Sequence, residues 1–421
     1  MEATGVTVQD SLEDAAAPPY GYDPFDYRVH EDPYPVYEWM REHAPVYRND
    51  ERDFWALSRH ADVVAALKNP GLFSNRNGIS LEQELWGPAA VKTSFFLAMD
   101  PPEHGRYRGL MSSAFTPRRV VALEQRIREL ARKRLEPLRD RATFDFAQEY
   151  AAGLPNDVVC EMLGVPAADW DTIRADTDQL NQRADGKEDR GQQSVNAALN
   201  LAYYFVNLVT ALRRRPGDDL TSTLIQADVK GEKLTDAQIV AFLFLVISAG
   251  NESTGKTIGN AWYQGHLRPD VQRQGLNGRA EDWATETLRY DSASQMTART
   301  VTQDTVLHDV RLPAGARVAI LPASGNRDRR VFTDPNRYDL DRADTGKLIS
   351  FGHGPHHCIG AALARLEMKI ALEEIGYLVS GYEIDMARTR RVHSPHQRGF
   401  ASLPSTLELR TNPSARRPSG D

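Results

Sequence analysis

The sequence predicts one large, mainly α-helical domain with small β-sheets, and three observations carry that prediction. Apolar residues recur at helical spacing along most of the chain, as in VVALEQRIRELARKRLEPL from Val120 and AALARLEMKIALEEIGYLV from Ala361. Strand-like alternation is concentrated in two stretches, Arg52–His60 and Gln295–Leu321, the second with the turn signal Pro313-Ala314-Gly315 inside it. Strands and helices do not alternate regularly, which argues against a doubly wound parallel sheet. No repeat, low-complexity block or Gly/Ser linker divides the 421 residues. Residues 20–410 are therefore expected to form a single domain, between a flexible tip at 1–19 and a loose tail at 411–421.

Composition is that of an ordinary globular protein, with 41% hydrophobic and 26% charged residues. The net charge of −7 argues against a nucleic-acid binder, which usually shows a basic excess. Two cysteines far apart give no disulfide framework and fit a reducing, cytoplasmic setting. The acidic first stretch has neither the basic nor the apolar region of a signal peptide. The longest apolar run, Ile239–Gly250, is shorter than the ~20 residues of a comfortable bilayer span, so no membrane anchor is expected.

Along the chain, Cys160 sits in the apolar helical pattern NDVVCEML and reads as core filler. Thr235 to Gln238 reads as a capping box, with Leu234 and Ile239 placed as a hydrophobic staple. The helix it opens can run to about Leu267, roughly 50 Å at 1.5 Å per residue, enough to cross the whole domain. Its first half is apolar nearly all round and should be buried. Mid-helix comes AGNESTG, Ala249 to Gly255. One reading is a helix crossing, where Gly and Ala permit close packing and Glu252 is merely paired. The other is a helix thinned to admit a flat ligand, with Ser253 or Thr254 bonding back to a carbonyl one turn earlier.

The stretch FGHGPHHCIG, Phe351 to Gly360, places Cys358 among three histidines and three glycines. Zinc needs four convergent ligands, and no second Cys/His pair stands at a suitable spacing. A phosphate loop would need glycine where His357 stands, and a strand–helix context. A catalytic thiol needs a base that the sequence does not single out, so that reading stays open. A thiolate ligand for haem iron fits best. The sulfur precedes an amphipathic helix whose N-terminus favours thiolate, Gly352 and Gly354 permit a tight loop, and Gly360 lets backbone approach something flat.

This loop resembles the haem-binding loop of the cytochrome P-450 family, F-G-x-G-x-H/R-x-C-x-G, at every fixed position. AGNES resembles the family's oxygen-activating helix motif, A-G-x-D/E-T, and Glu286-Thr287-Leu288-Arg289 matches its E-x-x-R. NRDRRVFTDPNRYDLDR resembles the segment before the cysteine loop, and MDPPEHGRYRGLMSSAFTPRRV, Met99 to Val120, resembles a block found in bacterial members. The resemblance covers roughly Tyr20 to Arg410. It implies the cytochrome P-450 fold, with a long central helix over haem b, and a haem-thiolate monooxygenase that uses O2 as co-substrate.

The resemblance assigns residues in turn. Cys358 becomes the axial ligand of the iron. His104 and Arg108, at i and i+4, become a propionate pair, joined by Arg299 and His356. Phe351, Gly352 and Gly360 line the porphyrin below, and Ala249 and Gly250 above. Glu252 and Ser253 become the acid–alcohol pair that delivers protons, with one departure: the family has Thr where Ser253 stands, and Thr254 follows. Glu286, Arg289 and Arg342 become a buried triad that braces the cysteine loop.

No flavin or iron–sulfur segment is present, so electrons are expected from a separate ferredoxin and its reductase, with NAD(P)H acting only through them. Arg106, Arg118, Arg119, Lys347 and Arg365 are candidates for the docking patch. The substrate is expected to be a mid-sized hydrophobic small molecule, met by five segments. These are Asn75–Leu97 with Trp86, Phe95 and Phe96; Asp171–Leu201, whose polar RADGKEDRGQQS suits a mobile lid; Leu245–Ala249; Ala293–Thr297 with Met296; and Phe400–Ser402. The expected enzyme is a monomeric bacterial natural-product tailoring enzyme. The alternatives are a member that couples, desaturates or rearranges, and a haem protein that binds a ligand without oxidising it.

Overall fold

The computed structural model describes residues 20–411, apart from 113, 142, 181–183, 185, 188–190 and 230–231. The expected tip and all but the first residue of the tail lie outside the described residues, as do 183, 185 and 188–190 of the expected lid.

Helices dominate, and the longest is Asp236–His266. The capping box forms as the sequence predicts. Thr235 Oγ1 accepts the Gln238 N–H at 3.3 Å, and Gln238 Oε1 accepts the Thr235 N–H at 2.9 Å. Ile239, Phe242, Leu243, Ile247, Ile258 and Trp262 on this helix are fully buried. Trp262 is stacked between Phe146 at 4.1 Å and Tyr382 at 3.3 Å, which ties the helix end to the rest of the main core. By length and hydropathy this helix and Gln192–Arg214 would each cross a membrane. The central one instead buries its apolar residues against protein, which is why unbroken apolar runs understate its length.

The two strand-like stretches meet in one five-stranded sheet, in the order Val46–Asn49, Phe54–Leu57, Arg317–Ile320, Thr297–Val301, Phe73–Ser74. The pairing of Phe54–Leu57 with Arg317–Ile320 is parallel, and the other pairs are antiparallel. A second sheet was not legible in the alternation: Val379–Ile384, Pro404–Leu409 and Thr143–Asp145 pair antiparallel. The helix after the cysteine, Ala361–Leu378, runs into its first strand without a turn residue between them, so the helical pattern hides the change.

The mid-helix small residues serve a crossing. A Cβ on Gly255 would come 2.8 Å from the Ala151 carbonyl oxygen, and one on Gly250 would come 3.2 Å from Val159. Helix Gly153–Met162 and the turn before it pack there. The central helix stays α-helical throughout, although Ser253 and Thr254 do bond back to the Ala249 and Gly250 carbonyls, at 3.3 and 3.4 Å. The crossing reading of AGNESTG therefore holds for Gly250 and Gly255, while Gly250, Ser253 and Thr254 also border a cleft.

Candidate active site

That cleft lies between the central helix and the loop and helix that carry Cys358, and it offers ≈ 350 Å³ to water-sized molecules. Its wall is mostly apolar, as small-molecule sites usually are. Leu245, Ala249, Gly250, Ser253, Thr254 and Thr257 border it from the central helix.

The cysteine loop is built by its glycines and backbone. Gly352 and Gly354 take φ of +71° and +69°, a region that costs other residues dearly, and a side chain on Gly354 would strike the Leu67 carbonyl. The Cys358 N–H donates to the Phe351 carbonyl at 2.8 Å, closing the loop. The helix begins at Ala361, three residues beyond the sulfur rather than at it. Cys358 has accessible surface, yet it is deeply enclosed by protein atoms, because the surface it shows is the cleft wall. Burial pushes its thiol up, against the Gly360 N–H and Arg108, which pull it down. The loop thus favours the thiolate less than the helix terminus led us to expect, and a bound metal would supply the rest by displacing the proton.

Whether haem fits can be read from polar atoms with little to bind. His104 Nε2 is buried without a partner, the buried His356 ring has the Met99 backbone as its one weak partner, and the two rings lie 3.9 Å apart. Arg299 and Arg108 complete the group, each acting on His356. Burial and the cationic Arg299 hold His356 down at about 2, so it offers a neutral N–H. Burial lowers Arg299 only to about 10, so it remains a cation at neutral pH. Arg108 donates to the His357 carbonyl at 2.5 Å. A Cβ on Gly360 would meet nothing within 4 Å, leaving open space where the loop borders the cleft. One thiol, a flat apolar cleft and a knot of histidine and arginine donors match a porphyrin carrying two carboxylates.

The triad forms. Arg289 Nη2 and Nε donate to Glu286 at 2.7 and 2.9 Å, and Arg342 Nε lies 3.2 Å from the same carboxylate, all three side chains being buried. Arg289 also donates to the carbonyls of Asn326, Pro335 and Arg337. Asn326, which sequence reasoning missed, carries the brace onward. Its Nδ2 donates to Ser350 Oγ at 2.7 Å, and its Oδ1 accepts the Ile349 N–H at 2.8 Å, beside Phe351.

Other expected residues lie elsewhere. Glu252 is buried and does not border the cleft; it faces Lys256 Nζ at 3.9 Å, because successive helical residues point ~100° apart. Of the expected substrate contacts, Phe96, Leu245, Ala249 and Ala293 border the cleft. Phe95 instead packs on Phe242 at 4.7 Å, Met296 fills the core beneath the N-terminal helices, and Trp86 packs against that same core. Phe400 borders a different cleft. The structure adds Glu367, on the cysteine helix, bordering the cleft. It is fully buried, its Oε1 has no hydrogen-bond partner, and burial pushes its carboxyl well above its ordinary range, favouring the protonated form.

Known proteins of similar sequence and structure share this arrangement's family. The profile described as Cytochrome P-450 matches residues 282–410. A Mycobacterium tuberculosis protein named for that family, cytochrome P-450 123, is 44% identical over 390 residues, covering 92% of this chain and 97% of its own. The cyclomarin C epoxidase CymV of Salinispora arenicola is 34% identical over 373 residues, covering 85% of this chain and 92% of its own. The structure of cytochrome P-450 CYP109Q5 from Chondromyces apiculatus superposes with a TM-score of 0.82 at 31% identity, covering 93% of this chain and 99% of that one. With near-full-length likeness added to the single thiol on the cleft wall and the histidines and arginines beside it, the chain belongs to the cytochrome P-450 family of haem-thiolate monooxygenases.

Proposed function

We propose that Cys358 is the axial ligand of haem b in an enzyme that inserts one oxygen atom from O2 into a mid-sized hydrophobic natural product. The observation that carries this reading is the gathering of His104, Arg108, Arg299 and His356 beside a cleft whose wall holds a single cysteine. Haem with a thiolate ligand supplies oxygen activation by favouring O–O cleavage. The protein supplies the rest. Arg108 and Arg299 bring charge, and His104 and His356 bring N–H donors, to the two propionates. Ser253 Oγ and Thr254 Oγ1, held to carbonyls by long bonds, present hydroxyls that hold and pass protons at the cleft wall. Glu252, one step behind them and beside Lys256, is the acid that replenishes those hydroxyls through water. Phe96, Leu245, Ala249 and Ala293 form the substrate wall.

Electrons come from a separate ferredoxin and its reductase in the cytoplasm. Arg106, Arg118, Arg119, Lys347 and Arg365 are all exposed. Arg365 borders a small groove with Pro117 and Val120, which places it near Arg118 and Arg119, as one docking patch would require. The tailoring role is supported by the likeness to an enzyme named as an epoxidase of cyclomarin C. Turnover of a panel of hydrophobic natural products, reconstituted with ferredoxin and reductase, tests the reading. One oxygen atom from labelled O2 should appear in the product. Substrate-induced spectral shifts without any oxidised product would leave a ligand-binding haem protein instead.

A further inference from the structure

A second cleft, offering ≈ 1130 Å³ to water-sized molecules, lies where the N-terminal helices Tyr27–Glu31 and Tyr34–His43 meet the end of the central helix and the segment 386–401. Its wall toward the haem cleft is thin: Asp291 and Arg398 border this cleft, while their chain neighbours Ser292 and Gln397 border the other. Its floor carries an imbalance of buried charge. Arg327 and Arg398 are buried, and the Arg391 side chain is 9% exposed. Against these three guanidinium groups stands one buried carboxylate, Asp291.

Asp291 already accepts three side-chain hydrogen bonds, of the roughly four an ionised carboxylate can take. It accepts Tyr34 Oη at 3.0 Å, Arg398 Nε at 2.8 Å and Gln264 Nε2 at 2.7 Å. Glu31 reaches only the Nε of Arg391, at 3.7 Å, with a side chain that is 61% exposed. Asp32 and Glu38 are exposed at the rim. Arg391 Nη1 is buried with no hydrogen-bond partner. Uncompensated buried charge is costly, and a buried guanidinium with an unused N–H fork is a ready receptor for a planar oxyanion. Aromatic rings line part of this largely polar cleft. Arg391 lies over Phe400 at 4.3 Å, Phe400 packs on Tyr263 at 4.6 Å, and Tyr27 stacks on His393 at 3.5 Å.

We propose that this second cleft binds a small molecule carrying an oxyanion, carboxylate or phosphate, on an aromatic body, with the Arg391 guanidinium as its principal donor. Calorimetric titration of the haem-loaded enzyme, its haem cleft saturated with 1-phenylimidazole, reads this site alone. The probes are 2-naphthoate, neutral 2-naphthylmethanol and inorganic phosphate. One 2-naphthoate per chain should bind, at least tenfold tighter than the alcohol. Arg391→Gln should weaken it at least tenfold, while the carbon monoxide difference spectrum stays that of the parent. Binding of phosphate, lost in the same variant, with no preference for naphthoate over the alcohol, assigns the oxyanion to a phosphate source. Equal binding of naphthoate and alcohol with no phosphate binding overturns the proposal. So does anion binding that Arg391→Gln leaves unchanged. Should that variant fail to fold, Arg391→Lys keeps the charge but loses the planar fork, and anion affinity that does not fall at least threefold overturns it equally.

Discussion

At the scale of single residues, the cleft assigns its chemistry to a few side chains that the sequence had already singled out. Cys358→Ser should abolish the carbon monoxide-shifted Soret band of the reduced enzyme, and a surviving band would remove Cys358 as the ligand. Ser253 and Thr254 both border the cleft, and Ser253→Ala is expected to raise the hydrogen peroxide released per NAD(P)H consumed several-fold. If coupling is unchanged in that variant and disturbed in Thr254→Ala, Thr254 is the working alcohol. The cluster of His104, Arg108, Arg299 and His356 was anticipated because these residues fall on the positions the family uses for propionates. Glu367 was not legible. A glutamate in an amphipathic helix reads as solvent-facing, and only packing shows that this one is sealed in, where burial favours its protonated form. Trp86, Phe95, Met296 and Phe400 fell the other way. An aromatic or a methionine suits a core as well as a pocket, and sequence does not say which way it turns.

At the scale of elements, capping boxes and periodicity placed the central helix almost to the residue, while close approaches between helices stayed hidden. Gly255 is the position where that matters. Alanine there would press on the Ala151 carbonyl and the Ala152 backbone, and overpacking of this kind costs about 1–3 kcal/mol. Gly105, on helix Glu103–Ser112, has nothing within 4 Å of its would-be Cβ. Gly255→Ala should therefore lower the thermal midpoint, whereas Gly105→Ala should leave it unchanged or raise it. The triad acts between elements, pinning the segment before the cysteine loop to helix Ala280–Tyr290. Glu286→Gln leaves the buried Arg289 guanidinium without an anion and Arg342 with Asp344 alone at 3.5 Å, a loss of about 3–5 kcal/mol. Its signature should be loss of haem on purification together with a lower unfolding midpoint. Normal haem content would reduce the triad to a local salt bridge.

At the scale of the whole molecule, distant parts of the chain close on one carboxylate. Asp291 joins Tyr34 of the N-terminal helices, Gln264 of the central helix and Arg398 near the C-terminal strands. Burial works to raise its pKa, but Arg398, Arg391 and Arg327 outweigh it and hold the carboxyl well below its ordinary 3.8. The unfolded chain therefore takes up a proton first as pH falls. The stabilisation is fully present above about pH 4 and is lost progressively below it. Asp291→Asn should be less stable than the parent by about 3 kcal/mol at pH 7 in denaturant titrations, and the gap should narrow as pH drops below 4. A gap that does not change with pH would show that Asp291 acts through packing alone. The sequence by itself determined the mainly helical class and the central helix, because hydrophobic period and capping specify those directly, and it pointed to the family through its motifs. Tertiary structure alone decided which face of AGNESTG meets the cleft, which aromatic residues line it, and that buried arginines collect around Asp291. Those outcomes depend on residues hundreds of positions apart becoming neighbours, and on burial, which fixes charge and partner only once the chain has closed.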